Sequence, residues 1–376
     1  MPPRQPAGHM PGVLLALLSL LWAAGTCQAR PVVPTHDAEV IERLPPAART
    51  SNSADPAVAV AEARALLAAS RRDGDPRFAG RALARLARWQ AQPLAPGDVV
   101  LALAETEQYL HQFDAATGRL QTLVQRAPDN ASAWLLLATL HRVQGRYAQS
   151  DAACTSLQQL RAQPYGEACA IENQSLRGDH AAARVRLQRL LAGTTAPATR
   201  AWLLTTLAEL EQRAGQVAAA DTAWQQSLRA ETDGYALTGY ADFLLDQQRD
   251  QAAWDLLRGA AASEGVLLRR AIAAKRLGRP EAEPLRREIR ERYAQADLRP
   301  EDSGHQRERA LRALDIEGQP VSALGHARRN LVLQREPFDL WLFARCAQAA
   351  RDPAALAEVR RLAQQQGLRD ARLDSL

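Results

Sequence analysis

Residues 130–157 read NASAWLLLATLHRVQGRYAQSDAACTSL. Trp134, Leu137 and Ala138 stand at i, i+3 and i+4, the spacing that gathers side chains on one side of an α-helix. A break follows at Gly145, and a second helical segment then begins. In it Ser150 and Cys154 are four apart, and Leu157 lies three further along. Two short helices joined by a tight turn are the expected structure of this stretch.

The same pattern runs outward in both directions. From Pro56 onward, apolar residues recur at helical spacing in segments separated by short polar breaks. The breaks fall near Gly74, His111, Gly145, Gly178, Gly215, Gln248, Gly278, Gly318 and Arg351, with successive spacings of 37, 34, 33, 37, 33, 30, 40 and 33 residues. A period close to 34 marks a repeat architecture. Composition agrees. The apolar residues, 47% of the 376, are mostly Ala and Leu, and aromatics are only 5%. Ala and Leu lose least on entering a helix, so an all-α chain is expected.

Position by position, these units resemble the tetratricopeptide repeat. With the turn residue set at position 15, small residues belong at positions 8 and 20, where the two helices cross most closely. Four units place a small pair there: Ala104 with Ala116, Ala138 with Ser150, Ala208 with Ala220, and Ala241 with Ala253. Trp134, Leu137 and Trp224 take large-apolar packing positions. The fourth and seventh units depart from the pattern, with Ile171 at position 8 and Glu283 at position 20. The resemblance implies a right-handed α-solenoid of stacked antiparallel helix pairs, about nine hairpins over 56–366, followed by a tail at 367–376. It also implies a concave groove lined by the first helices, where the family usually binds peptides or protein segments.

Upstream, the chain opens with an expected signal peptide at 1–29. Val13 to Ala24 form its apolar core, and a small residue, Ala29, precedes Arg30. No later apolar run is long enough to span a bilayer. A periplasmic protein of a Gram-negative bacterium is therefore expected. Lipid anchoring through Cys27 is disfavoured, because Thr26 is larger than the residue usual before a lipidated Cys. Residues 30–55 form a linker in which Pro31, Pro34, Pro45 and Pro46 forbid a long helix. Within it, Ala38 to Leu44 reads equally as a short amphipathic latch or as a tail with one transient turn.

The repeat frame puts Cys154 on the second helix of the third unit and Cys169 on the first helix of the fourth. In an oxidising compartment they could form a disulfide. The alternative is two buried thiols. Cys346 has no evident partner.

No catalytic, metal or cofactor motif stands in context. The seven His residues are scattered, His111 and His180 lie beside turns, and His141 holds a packing position. The acid pairs Glu105/Glu107 and Glu209/Glu211 read as solvated helix-surface groups. The net charge of +5 concentrates between Arg269 and Arg312, where thirteen basic residues face eight acidic ones. That stretch is either a docking patch or a helix surface laced with pairs such as Glu283–Arg287 and Glu288–Arg292. In an exported protein, nucleic acid is the least expected partner.

A non-catalytic scaffold of the cell envelope follows, holding a segment of another protein in its groove. A polysaccharide-binding or polysaccharide-export role is the alternative. It would use groove aromatics, with Trp202 the best placed to face the groove and Trp254 and Trp341 read as core.

Overall fold

The computed structural model describes residues 36, 54–73, 75–92, 94–297 and 305–376. The expected signal segment, Cys27 and the Ala38–Leu44 motif lie outside the described residues. The chain divides into Met1–Ser51 and Asn52–Leu376, and the fold is that of the second part.

Among the described residues there is no strand, and consecutive helices pair into nine hairpins. The first six are α1 (Pro56–Asp73) with α2 (Pro76–Leu86), α3 (Gly97–Tyr109) with α4 (Phe113–Arg126), α5 (Ala131–Val143) with α6 (Tyr147–Gln159), α7 (Tyr165–Leu176) with α8 (His180–Gly193), α9 (Pro197–Arg213) with α10 (Val217–Ala230), and α11 (Gly234–Asp246) with α12 (Asp250–Leu257). Then come α13 (Glu264–Arg276) with α14 (Ala282–Asp297), α15 (Gln306–Leu311) with α16 (Pro320–Leu333), and α17 (Pro337–Ala349) with α18 (Pro353–Gln366). A last short helix, α19, covers Ala371–Asp374.

The turns explain the period. His111, Gly145, Gly178, Gly215, Gln248, Gly278, Gly318 and Arg351 all have positive φ, between 54° and 96°. Each ends a first helix in the left-handed conformation that turns the chain sharply. The N–H of Arg146 donates to His141 O at 2.7 Å, that of Arg249 to Leu244 O at 2.9 Å, and that of Asp352 to Ala347 O at 2.9 Å. These bonds satisfy helix-end carbonyls that would otherwise have no partner. In the eighth unit a π-helical turn at Arg312–Ile316 lengthens this bridge, and the N–H of Gln319 donates to Ala313 O.

Every member of the four small pairs is fully buried. In the third unit Ser150 Oγ donates to Ala138 O at 2.9 Å, so its two helices are hydrogen-bonded at their crossing. A larger side chain at either site would push the helices apart. Leu137 and Trp224 are buried, while Trp134 is half-buried and donates through Nε1 to Pro128 O. Ile171 fits as a fully buried side chain, and Glu283 points outward to Arg286. The Glu283–Arg287 pair expected from i,i+4 spacing is thus replaced by an i,i+3 pair, whereas Glu288–Arg292 forms at 2.7 Å. The sulfurs of Cys154 and Cys169 are bonded, joining α6 to α7, and Cys346 is a buried free thiol.

The stack closes on itself. The N–H of Arg335, after α16, donates to Val143 O at the end of α5, and the N–H of Arg369 donates to Leu176 O at the end of α7. Arg369 lies over Gly178, where an added Cβ would sit 2.8 Å from Arg369 Cγ, and Gln366 lies as closely over Gly145. Tyr147 and Leu176 share one apolar core with Leu340, Phe343, Leu368 and Leu373. Residues 367–376, expected as a tail, are therefore packed structure. Asp370 caps α19 and is fully buried, and burial of Leu368 and Leu373 holds the segment against the fourth and fifth hairpins.

Candidate functional site

Closure leaves a cavity of about 200 Å³ inside the stack. Successive first helices supply its wall: Arg142 from α5, Glu172 and Leu176 from α7, Glu209 and Arg213 from α9, Tyr235, Thr238 and Asp242 from α11, and Arg269 from α13. Arg307 and Glu308 of α15, Glu336, Pro337 and Phe338 at the start of α17, and Arg372 of α19 complete it. Tyr235 keeps 57% of its surface accessible and lines the cavity.

Five guanidinium groups and five carboxyl groups line this space. Most are paired. Arg269 forks onto Asp242 at 2.6 and 2.9 Å, and Arg142 meets Glu172 at 2.9 Å. Arg307 donates to Asp339 at 2.6 Å and to Glu336 at 2.5 Å. Arg372 forks onto Asp370 and lies 3.7 Å from Asp246, which also accepts from Trp341 Nε1 at 3.0 Å. Fork-on-carboxylate geometry satisfies both ions at once, which is what permits their burial.

Three wall groups stand apart. Glu209 accepts a 2.6 Å hydrogen bond from the Tyr235 hydroxyl, and no guanidinium among the described residues forms an ion pair with it. Burial pushes its carboxyl up to about 7, with Arg213 opposing and Glu172 and Glu336 adding to the rise. Burial would also raise Glu308, but Arg307, Arg269 and His305 outweigh it and hold that carboxyl below its ordinary value. Arg213 donates from Nη2 to Ser175 Oγ, and its Nε has no partner in the protein. Glu209's charge and burial together push the Tyr235 hydroxyl well above its ordinary value, so it stays a donor.

The residues singled out from sequence divide cleanly. The eight small-pair residues, with Leu137 and Trp134, build the hairpins and do not reach the cavity, whereas Trp224 borders it beneath Gly239. Cys154 and Cys169 lie in the same apolar cluster as Ala138 and away from the wall. Trp202 packs against Tyr165 at 5.7 Å between ring centres and lines no part of the cavity. Trp254 lies beneath Arg279, and Trp341 beneath Arg372.

The acid pairs correct an expectation. Glu107 and Glu211 are buried, not solvated: Glu107 takes Arg119 at 2.7 Å, and Glu211 takes a fork from Arg184. The basic partner in each case comes from a different helix, so spacing within one helix hides it. Glu105 meets Arg64 of the first unit, and Glu209 is the cavity acid. The Arg269–Arg312 charge excess is also largely spoken for. Arg269 holds Asp242, Arg276 bridges Asp250 and Asp315, Arg312 meets Glu317, and Lys275 donates to the carbonyls of Asp315 and Ile316.

Left-handed turns at the recurring break, with buried small pairs spaced by twelve, decide the architecture. The chain has the tetratricopeptide-repeat fold. No family model matches the sequence, and no curated protein matches it either. Among solved structures, this tetratricopeptide stack is similar to a thermophilic TPR protein of Thermus thermophilus at 19% identity, over 51% of this chain and 100% of that one, with a TM-score of 0.42. It is also similar to pilF of Pseudomonas aeruginosa at 17% identity, over 53% of this chain and 92% of that one, with a TM-score of 0.37. A human IFIT1 dimer with PPP-AAAA is similar at 15% identity, over 83% of this chain and 72% of that one, with a TM-score of 0.44. At such identities and TM-scores the likeness says nothing of function. Among the described residues no helix is long and apolar enough to cross a membrane, and no three potential metal ligands converge.

Proposed function

We propose that this chain is a non-catalytic scaffold of the cell envelope that binds a segment of another protein at the mouth and wall of its charged cavity. The observation that carries the reading is the order of the wall. Each first helix from α5 to α15 offers one or two charged side chains in turn: Arg142, Glu172, Glu209 with Arg213, Asp242, Arg269, and Arg307 with Glu308. A row of charges with one step per repeat suits the reading of a polypeptide. The Cys154–Cys169 bond supports an oxidising, extracytoplasmic setting.

The sugar-binding alternative finds little support among the described residues. Trp202, Trp224, Trp254 and Trp341 each have a face covered by a ring or a guanidinium. Stacked sugars need free aromatic faces.

Photo-crosslinking from a reactive residue at Thr238, followed by recovery from envelope extracts, tests the proposal. The expected result is a crosslinked protein partner that is lost on Arg142→Glu with Arg269→Glu, while a Glu283→Arg surface control retains it. Recovery of no protein, alongside measurable glycan binding, overturns it.

A further inference from the structure

One of the wall guanidiniums lacks what the other four have. Arg142, Arg269, Arg307 and Arg372 each meet a carboxylate within 2.9 Å. Arg213, only 4% exposed, meets none among the described residues. Its Nη2 donates to the neutral hydroxyl of Ser175 at 2.7 Å, and its Nε has no partner in the protein. A guanidinium stays charged at any working pH, so Arg213 cannot shed the cost of burial by losing a proton.

Its field is not cancelled by its surroundings. The buried Tyr147 hydroxyl and His180 Nε2 also lack partners. Burial pushes the Tyr147 hydroxyl up and His180 down, and at both Arg213 is the foremost charge, ahead of any single carboxylate. The same holds at Glu209, where burial raises the carboxyl and Arg213 is the strongest charge opposing the rise. Glu209 and Arg213 are four apart on α9, so they share one face of the helix, and both line the cavity. Leu176, next to Ser175 on α7, and Phe338 give the same space an apolar lining. Its volume, about 200 Å³, corresponds to roughly six or seven waters at ~30 Å³ each.

We propose that the cavity binds a monocarboxylate, with its carboxylate between the Arg213 guanidinium and the Glu209 carboxyl and a short aliphatic stem in the space lined by Leu176 and Phe338. A guanidinium matches a carboxylate in shape and charge. Tyr235 donates to one Glu209 oxygen, and the other, when protonated, donates to the ligand. A single negative charge suits a wall that also carries Glu172 and Glu336, where a second would add to the repulsion. A free short-chain acid and the glutamate side chain of a protein segment share this chemistry. Binding of the free acid requires no protein partner, so its failure and that of the scaffold reading are distinguishable.

Glu209 supplies an independent readout. The groups facing it are Arg213 on its own helix, Glu172 on α7, Tyr235 on α11, Glu336 before α17 and, more distantly, Arg372 on α19. Burial pushes its carboxyl up to about 7, and a carboxylate bound beside it favours the protonated form. Binding at pH 7 must therefore take up protons. An ordinary carboxyl titrates at about 4 and stays ionised above pH 6, so affinity should rise as pH falls from 8 to 6.

Isothermal titration of the full chain with butyrate and with N-acetyl-glutamate α-amide, each in two buffers of different ionisation enthalpy, tests the proposal. The expected result is saturable binding of at least one acid, at one site per chain, with proton uptake at pH 7. Affinity should be up to about tenfold higher at pH 6 than at pH 8. Arg213→Gln should weaken binding about tenfold or more. Glu209→Gln keeps a donor beside Arg213, so it should retain binding while abolishing both the proton uptake and the pH dependence. Binding of butyrate points to a free acid as the source, and binding of the glutamate derivative alone to a protein segment. Three results overturn it: saturation by neither acid, an unchanged affinity in Arg213→Gln with its melting transition intact, or a pH dependence that survives Glu209→Gln.

Discussion

The backbone N–H of Arg369 donates to the carbonyl oxygen of Leu176 at 2.9 Å, tying the exit of the ninth hairpin to the turn of the fourth. The bond sits over Gly178, whose φ of 96° and close approach to Arg369 leave no room for a side chain. Gly178→Ala should therefore loosen the closure as well as strain the turn. Deleting residues 367–376 removes this tie, leaves that of Arg335 to Val143, and uncovers what Leu368 and Leu373 bury. At about 1.5–3 kcal/mol per buried Leu, the loss should be about 3–6 kcal/mol. Urea unfolding of the truncated chain measures it, and an unchanged midpoint would show that the segment contributes nothing.

Ala208→Leu should destabilise the fifth hairpin by about 1–3 kcal/mol or more, because Ala208 and Ala220 are fully buried where α9 and α10 cross. Thermal melting decides it. A tolerated Leu would mean that the helix crossing has slack.

Cys154→Ser should lower stability by up to about 3 kcal/mol in the loop-entropy account, since the bridge closes a separation of 15 residues. Peptide mapping without reductant should recover the two cysteines linked. Free thiols at both positions would refute the bridge.

Glu209 makes stability depend on pH. Its carboxyl titrates near 7 in the folded chain and near 4.5 in an ordinary setting. Below pH 4.5 both states are protonated and the stabilisation from this group is fully present. As pH rises through 7 the unfolded chain has already ionised, so that stabilisation is lost. Glu209→Gln cannot ionise, and its stability relative to the parent should improve from pH 5 to pH 8. Denaturant midpoints at the two pH values test this. A constant difference would count against a raised carboxyl.

Most of the architecture could be read from local spacing. The break residues at His111, Gln248 and Arg351 were legible although none is Gly, because the apolar rhythm restarts after each. The small pairs were legible because both helices of one hairpin lie close in sequence. The cavity was not. Its wall draws on residues from Arg142 to Arg372, and the pairs Arg307–Asp339 and Arg372–Asp370 acquire meaning only once the eighth and ninth hairpins fold back. Glu211 looked like a surface acid for the same reason: Arg184, which buries it, sits on α8.

The return of the last hairpins onto the third, fourth and fifth also has a kinetic meaning. Contacts such as Arg335 with Val143 and Trp341 with Asp246 join distant parts of the chain, and such contacts form late because a large loop must close first. The stack is therefore expected to assemble as an open spiral before its last hairpins dock, with the inner wall facing water until they do.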